Sequence, residues 1–478
     1  MTQNAADPGS TGFRLRTRNL PPPEVRDLPE PPRRMWRLIG PGVVGSGIGL
    51  ASGEFILWPY ITSQVGLIFL WGAALGVIIQ WFLNTEIERY SLATGETAIS
   101  GFNRYWKHWG LVFVLLAYLQ NLWPGWATSA ATMFSYLFGG NVTVIAVVML
   151  LAIGLMLTLA PVVYSMMEGL IFLKVAVIGV FFALASVLVI KASSWQALPD
   201  AVTNVGRFPS DLEFAVLMGA IAFAGAGGAQ NLCQSNWIRD KGFGMGAYVP
   251  RLVSPITGEE KVMGDTSAYV FDPTQENLTK WRRWWRFANW EQAIAFALVT
   301  VVTITLTSLL AHSTVQDESQ VANSIDFLFT EGEALKGAVG GWFGTLFWAV
   351  GAFSLFAASA GVVDYASRIT ADTVKHSYLQ RSRISESKIY FVAVWGLVLS
   401  GVAILSLGLS QPLLLLVISA CVAGLCMFLY SMLLLFMNRT ALPKAIRAGG
   451  FRSSVLIFCT AFFGVLSVIT IAEQIQRF

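Results

Sequence analysis

Histidine and cysteine are close to absent, at three and four residues in a chain of 478. Cys233, Cys421, Cys426 and Cys459 stand in apolar surroundings with no C-x-x-C pair, which excludes a disulfide framework and a thiolate zinc site. They read as small core residues. His108, His312 and His376 fall at span ends or in loops, as solvated surface residues, so the interior lacks the usual imidazole ligands and proton shuttles. Charge is also scarce, at 13% of residues against 55% hydrophobic, with a mean hydropathy of +0.61. That balance excludes a soluble globular chain. No nucleic-acid module is visible, no cofactor motif stands out, and no catalytic constellation accompanies the interior polar groups, so enzyme activity is not expected.

What is plentiful is apolar sequence in runs of about twenty residues, the signature of an all-α polytopic bundle in a lipid bilayer. A β-barrel would alternate with period two instead. Hydropathy gives eleven spans, near 38–60, 67–89, 110–138, 142–160, 164–190, 212–237, 288–311, 342–368, 389–409, 412–437 and 454–474. Residues 1–37, rich in proline and arginine and without an apolar h-region, read as a disordered basic tail. Outside connections hold only Lys191, Arg207, Lys336 and Arg477, and Lys174 lies within a span; the other Lys and Arg residues fall in the tail and the alternate connections. The positive-inside rule then places the tail in the cytoplasm of a cell-membrane protein, and an odd number of spans puts the C-terminus outside.

The longest connection, 239–287, reads as a cytoplasmic insert. Its WRRWWRF run, Trp281 to Phe287, has the cations and aromatics of a helix lying at the inner headgroup layer; a regulatory or partner-binding role is the alternative. An outer loop carries Asp317, Glu318, Asp326, Glu331 and Glu333, either concentrating cations near an entrance or simply solvated.

The first span, GPGVVGSGIGLASGEFILWPY over 40–60, holds Gly45, Gly47, Gly49 and Gly53, each costing up to about 1 kcal/mol of helix propensity relative to alanine. A break is therefore expected near Leu50 to Gly53, followed at once by Glu54, a carboxylate at membrane depth. Irregular backbone and a buried charge are tolerated there only where they line a cavity. Glu54 is either a ligand or a cap on the second half-helix. The sixth span repeats the pattern: Gly225, Gly227 and Gly228 interrupt an apolar run before Gln230 and Asn231. Glycine-broken spans in matching positions of two halves point to an inverted-repeat transporter with its substrate between them. The halves are 38–190 and 212–437, the second carrying the insert, with an eleventh helix at 454–474.

These segments resemble the natural resistance-associated macrophage protein (Nramp) family of divalent-metal transporters. The likeness rests on GPG at 40–42, the broken first span, ATGE at 93–96, VYSMMEGLIFLKVAVIG at 163–179 with Glu168 at a family Glu, AQNL at 229–232, SLFAASAGVVDYASRITADTV at 354–374 and LLFMNRTALPKAIR at 434–447. It implies a leucine-transporter-like inverted-repeat (5+5) fold with eleven transmembrane helices and alternating access. The chain departs from the family where it has Ala51-Ser52-Gly53-Glu54 for Asp-Pro-Gly-Asn, Gly228 for the Met ligand, and Gln230 for the His. Its third span, with Asn121, Trp123, Pro124 and Trp126, lacks the family's Asp.

The expectation is a secondary transporter for a cation. Glu54 supplies the charge, Gln230, Asn231 and the freed carbonyls of Ile48 and Gly225 supply oxygen donors, and Ala51, Gly53, Gly228 and Ala229 leave space. Such hard donors favour Mg²⁺, Ca²⁺ or Mn²⁺. The alternatives are a small organic cation or amino-acid-like solute, with Trp58, Trp123 and Trp126 as cation–π walls or as mere packing, and a non-transporting sensor. Asp364 is either a coupling or second-ion site or the partner of Arg368, four residues on. With no titratable series through the third and sixth spans, the expected mode is uniport driven by the membrane potential.

Overall fold

The computed structural model of the chain describes residues 11–51, 53–121, 124–254, 256–257, 268–315, 327–408 and 412–476. The first half comprises α1 (Pro41–Gly49), a π-helical turn (Gly53–Leu57), α2 (Trp58–Val65), α3 (Trp71–Thr94), α4 (Ala98–Asn103), α5 (Trp109–Asn121), α6 (Gly125–Phe138), α7 (Val142–Leu159) and α8 (Val163–Leu188). Two short helices, α9 (Ala192–Gln196) and α10 (Pro199–Thr203), lead to α11 (Phe214–Ala222) and α12 (Ala229–Lys241). Then come α13 (Gln275–Glu291), a π-helical stretch (Gln292–Leu298), α14 (Val299–Thr314), α15 (Phe327–Ala338), α16 (Gly341–Ser377), α17 (Glu386–Ser406), α18 (Pro412–Ala441) and α19 (Gly450–Gln476).

Among the described residues, seven continuous helical stretches are long and apolar enough to cross a membrane: Val142–Leu159, Val163–Leu188, Gln275–Thr314, Gly341–Ser377, Glu386–Ser406, Val417–Ala441 and Gly450–Ile469. The other expected spans have a visible reason for falling outside that set. Three are broken, after Gly49, at Pro124 and at 223–228, and α3 carries Glu86, Glu88 and Arg89 in its second half.

The third break was not anticipated, since 110–138 reads as one span. Its cause is Pro124, which has no N–H and crowds the carbonyl four residues back. That carbonyl, of Gln120, accepts the Ser419 hydroxyl of α18 instead.

The tail also departs from expectation, because residues 11–37 are folded onto the bundle. Strand β1 (Glu24–Val25) pairs in parallel with β2 (Tyr269–Val270) of the insert. The buried Arg104 guanidinium donates to the carbonyls of Arg16 (2.8 Å) and Pro21 (3.1 Å), and the Trp284 indole to that of Pro29 (2.9 Å). A chain whose backbone acceptors are met this way is held despite its polar composition. The tail and the insert therefore share one end of the molecule. Nor is WRRWWRF a separate helix. It belongs to α13, which runs on into α14 as a 40-residue helix, and Trp281 and Trp284 are buried under the tail and insert.

Ion pairs gather at the same end: Glu96 with Arg104 (2.7 Å), Arg239 with Asp372 and Glu386 (both 3.1 Å), and Glu86 with Arg89 (2.8 Å) and Arg452 (2.9 Å). His376 lies there too, buried and 3.1 Å from Asp372 rather than solvated. Asp317, Glu318 and Asp326 of the acidic outer loop lie outside the described residues.

Candidate functional site

The two broken helices meet back to back. At Leu50 the α1 ladder ends with Leu50 N–H donating to the Ser46 carbonyl (2.7 Å), and the freed Leu50 carbonyl accepts the Ser354 hydroxyl of α16 (3.0 Å). On the other side, Gly225, Gly227 and Gly228 take φ of 114°, 70° and 58°, a left-handed run that side chains resist. A Cβ at Gly49 would lie 2.2 Å from the Gly225 carbonyl oxygen, and one at Gly53 would lie 2.3 Å from that of Phe223. Backbone therefore touches backbone, which only glycine allows. Gln80 of α3 clamps the second break, its amide donating to the Ala222 (3.0 Å) and Ala224 (2.9 Å) carbonyls and accepting Gly227 N–H (2.9 Å). Gln120 accepts Ala229 N–H (3.1 Å) and so caps α12.

Between the breaks lies a cavity of about 40 Å³, room for about two or three water-sized species. Ile48, Gly49, Ala51 and Gly53 line it from the first break, and Phe223, Gly225, Ala226 and Gln230 from the second. The third break adds Gln120, Asn121 and Trp126, while α16 and α18 add Ala358, Val362, Tyr365 and Ser419. Its polar groups are amides, hydroxyls and backbone carbonyls, with no sulfur or imidazole, and it carries no formal charge.

Of the residues expected at the site, Ile48, Ala51, Gly225 and Gln230 border this cavity, and Gln230 also holds the Gly45 carbonyl (3.0 Å). Three do not line it. Asn231 donates to the Tyr430 hydroxyl (2.9 Å), leaving its own oxygen without a partner. Gly228 makes no free space, because a Cβ there would meet the Gln120 side chain at 2.3 Å and the Ala423 backbone at 2.7 Å.

Glu54 lies one residue past the cavity wall, wholly buried in the π-helical turn, and neither carboxylate oxygen has a hydrogen-bond partner among the described residues. It therefore does not cap the half-helix. A buried carboxylate without donors is costly unless a cation offsets it. The cation at the same break is Lys174 of α8, a residue that hydropathy alone records as one charge in an apolar run. It is itself wholly buried and donates to the Gly47 carbonyl at 2.6 Å.

Asp364 is committed elsewhere. Both its oxygens accept Arg368 Nε at 2.9 Å, Tyr390 donates to one at 2.8 Å, and Arg368 reaches on to Asp240 at 2.5 Å. That is the structural pair rather than an open ion site. Trp58 stacks on Phe69 with ring centres 5.7 Å apart, as packing, and Trp126 alone of the expected aromatic walls reaches the cavity; Trp123 and Ser52 lie outside the described residues. Sequence reasoning missed Gln80, Gln120 and Lys174. The signal in each is a strongly polar side chain inside an apolar span.

Discontinuous helices crossing at a buried cavity, among helices long enough to span a bilayer, define a polytopic membrane protein of the leucine-transporter-like class. Residues 61–473 match the family described as natural resistance-associated macrophage protein-like, and the chain belongs to that family, Nramp. No curated protein matches its sequence. Among solved structures it is similar to the manganese transporter of Eremococcus coleocola in complex with an aromatic bis-isothiourea substituted compound. There the TM-score is 0.65 at 14% identity, over 96% of this chain and 91% of that one. It is also similar to MHP1, a nucleobase-cation-symport-1 family transporter in a closed conformation with bromovinylhydantoin bound, with a TM-score of 0.54 at 11% identity, over 98% and 96% of the two chains. At such identities the likeness is one of fold.

Proposed function

We propose that this chain is a secondary transporter that moves a divalent metal cation, Mg²⁺ or Mn²⁺ foremost, across the cell membrane by alternating access. The observation that carries the reading is the contact of Gly49 with Gly225, which brings two unwound helices together at one buried cavity. Family membership and the manganese transporter among its structural neighbours favour a divalent metal. The cavity's oxygen donors favour a hard one, and its neutral lining suits an ion that keeps part of its water shell. Glu54, behind the wall at Gly53, supplies the negative field, with Gln230 and the carbonyls of Ile48 and Gly225 as direct donors. Asn231 belongs to the site only if its contact with Tyr430 opens during transport. Eleven crossings, with the tail and the 239–287 insert in the cytoplasm and the C-terminus outside, fit the distribution of Lys and Arg.

A small organic cation is the second reading, favoured by Trp126, Phe223 and Tyr365 on the cavity wall. The cavity volume favours the metal. Uptake into proteoliposomes from a panel of Mg²⁺, Mn²⁺, Ca²⁺, Cd²⁺ and small amines decides between them. The expected result is uptake of Mg²⁺ or Mn²⁺ with Cd²⁺ no better than either. Uptake confined to amines, or a strong preference for Cd²⁺, would overturn the reading.

A further inference from the structure

The cation reading leaves without a role a buried charge that sits at the break itself. Lys174 is wholly buried on α8, where α8 packs against α1, α12, α14 and α16. Its ammonium has one hydrogen-bond acceptor, the Gly47 carbonyl at 2.6 Å. Gly47 belongs to the last turn of α1, so that carbonyl lies at the negative end of a half-helix whose dipole stops inside the protein. The approach is close by construction, for a Cβ at Gly47 would lie 2.2 Å from Ile171 Cγ2, one turn before Lys174. Glu54 stands just beyond the same break with both oxygens unpartnered.

The other charges on the surrounding helices are engaged away from Lys174. Asp364 and Arg368 of α16 hold each other and Asp240 of α12, Arg239 of α12 pairs with Asp372 and Glu386, and His312 of α14 bonds to Ser194. Lys174 and Glu54 are the two wholly buried charged side chains left at this break, one held on its α1 side by the Gly47 carbonyl and the other at the start of the π-helical turn beyond it. Among the described residues no hydrogen bond joins them, so the two charges face the same break without being locked together.

A half-helix C-terminus and an unpartnered carboxylate together make the kind of place that a small monovalent cation would fill in a broken-helix transporter. Here a side chain reaches it. We infer that Lys174 is a tethered counter-cation: its ammonium balances Glu54 between transport events, and an arriving metal ion must displace it from the field of Glu54. Lys174 thereby sets the affinity of the site for the transported cation and removes the need for a free monovalent co-ion. Lysine suits this use, having a compact charge on a flexible stem and an acceptor that it can release.

This inference rests on the cation-transport reading, and the test separates the two. Half-saturating Mn²⁺ is measured, as uptake into proteoliposomes and as the Mn²⁺-dependent rise of the unfolding midpoint, for the unmodified chain, Lys174→Gln, Lys174→Met and the Glu54→Gln/Lys174→Gln double variant. Removing the ammonium should tighten Mn²⁺ binding about tenfold or more, because a repelling charge is gone from a poorly screened site. The double variant should lose that gain, and because it is charge-balanced it folds even where a single variant does not. In sodium-free medium, uptake by the unmodified chain should be unchanged. A Lys174 that only packs against α1 would leave affinity unchanged or weaken it, and either result in the uncharged variants overturns the inference while leaving transport standing. A folded double variant that binds Mn²⁺ as tightly as Lys174→Gln also overturns it. If the unmodified chain and every variant fold yet none binds or moves Mn²⁺ or Mg²⁺, the cation reading falls and the inference with it.

Discussion

Glu54 and Asp364 are both buried carboxylates on broken or membrane-spanning helices, and their surroundings predict opposite effects of substitution. Asp364 is bonded by Arg368 and Tyr390, so Asp364→Asn should act on stability, lowering it by about 3 kcal/mol because a buried guanidinium loses a partner. The unfolding midpoint in detergent should fall, while half-saturating Mn²⁺ in the folded fraction stays put. The Glu54 carboxylate bonds to none of the described residues, so Glu54→Gln should act on function, cutting Mn²⁺ uptake about tenfold or more at saturating potential. Wild-type uptake in that variant would remove Glu54 from the translocation path. The carboxylate itself was legible from sequence, since a charge directly after a cluster of glycines has few benign explanations. Lys174 was not, because a lone lysine in an apolar run says nothing of which carbonyl it meets, and Gly47 is 127 residues away along the chain. The space read at Gly228 failed for a related reason: an absent side chain looks like room in a sequence, whereas here Ala423 and Gln120 occupy it.

At the scale of elements, both glycine-marked breaks appeared where they were expected, because loss of helix propensity over three or four residues is a local property. What stabilises each break is not local. Ser354 on α16 holds the Leu50 carbonyl, and Gln80 on α3 holds three backbone groups of the second break. Gln80→Leu keeps the volume and removes all three bonds, and should cost about 2–3 kcal/mol for the orphaned backbone groups. Uptake should fall with it, since Gly225 and Ala226 would no longer be fixed at the cavity wall. A Leu variant with an unchanged unfolding midpoint would mean that water replaces the clamp. The break at Pro124 was readable in principle, as a proline inside an apolar span disrupts the helical ladder, but its use as a third cavity wall depends on α18 supplying Ser419.

For the whole molecule, composition was enough to give a helical membrane bundle, and the family resemblance gave the arrangement of its halves. The folding of the tail was hidden, since prolines and arginines in sequence suggest a free chain and only the facing edge at Ala268 to Val270 supplies β1 with a partner. The shared end of tail and insert makes the topology testable at one exposed position. Ile256, 63% exposed, should as Ile256→Cys resist a membrane-impermeant maleimide on intact cells and react once they are opened. Labelling on intact cells would reverse the orientation. The unbroken helix from Gln275 to Thr314 has its own consequence at this scale. Forty residues at 1.5 Å each run about 60 Å, twice the hydrocarbon thickness, so a crossing along the bilayer normal would leave about half of it clear of the lipid. Its π-helical stretch lies against α1, where Ser46 donates to the Ala295 carbonyl (2.7 Å) and Glu291 accepts Gly42 N–H (2.8 Å). That contact makes a fulcrum, and the helix beyond it a pointer: a tilt of about 10° at α1 would carry the Gln275 tip roughly 5 Å across the membrane surface, a magnified signal of the core's motion delivered outside the bilayer.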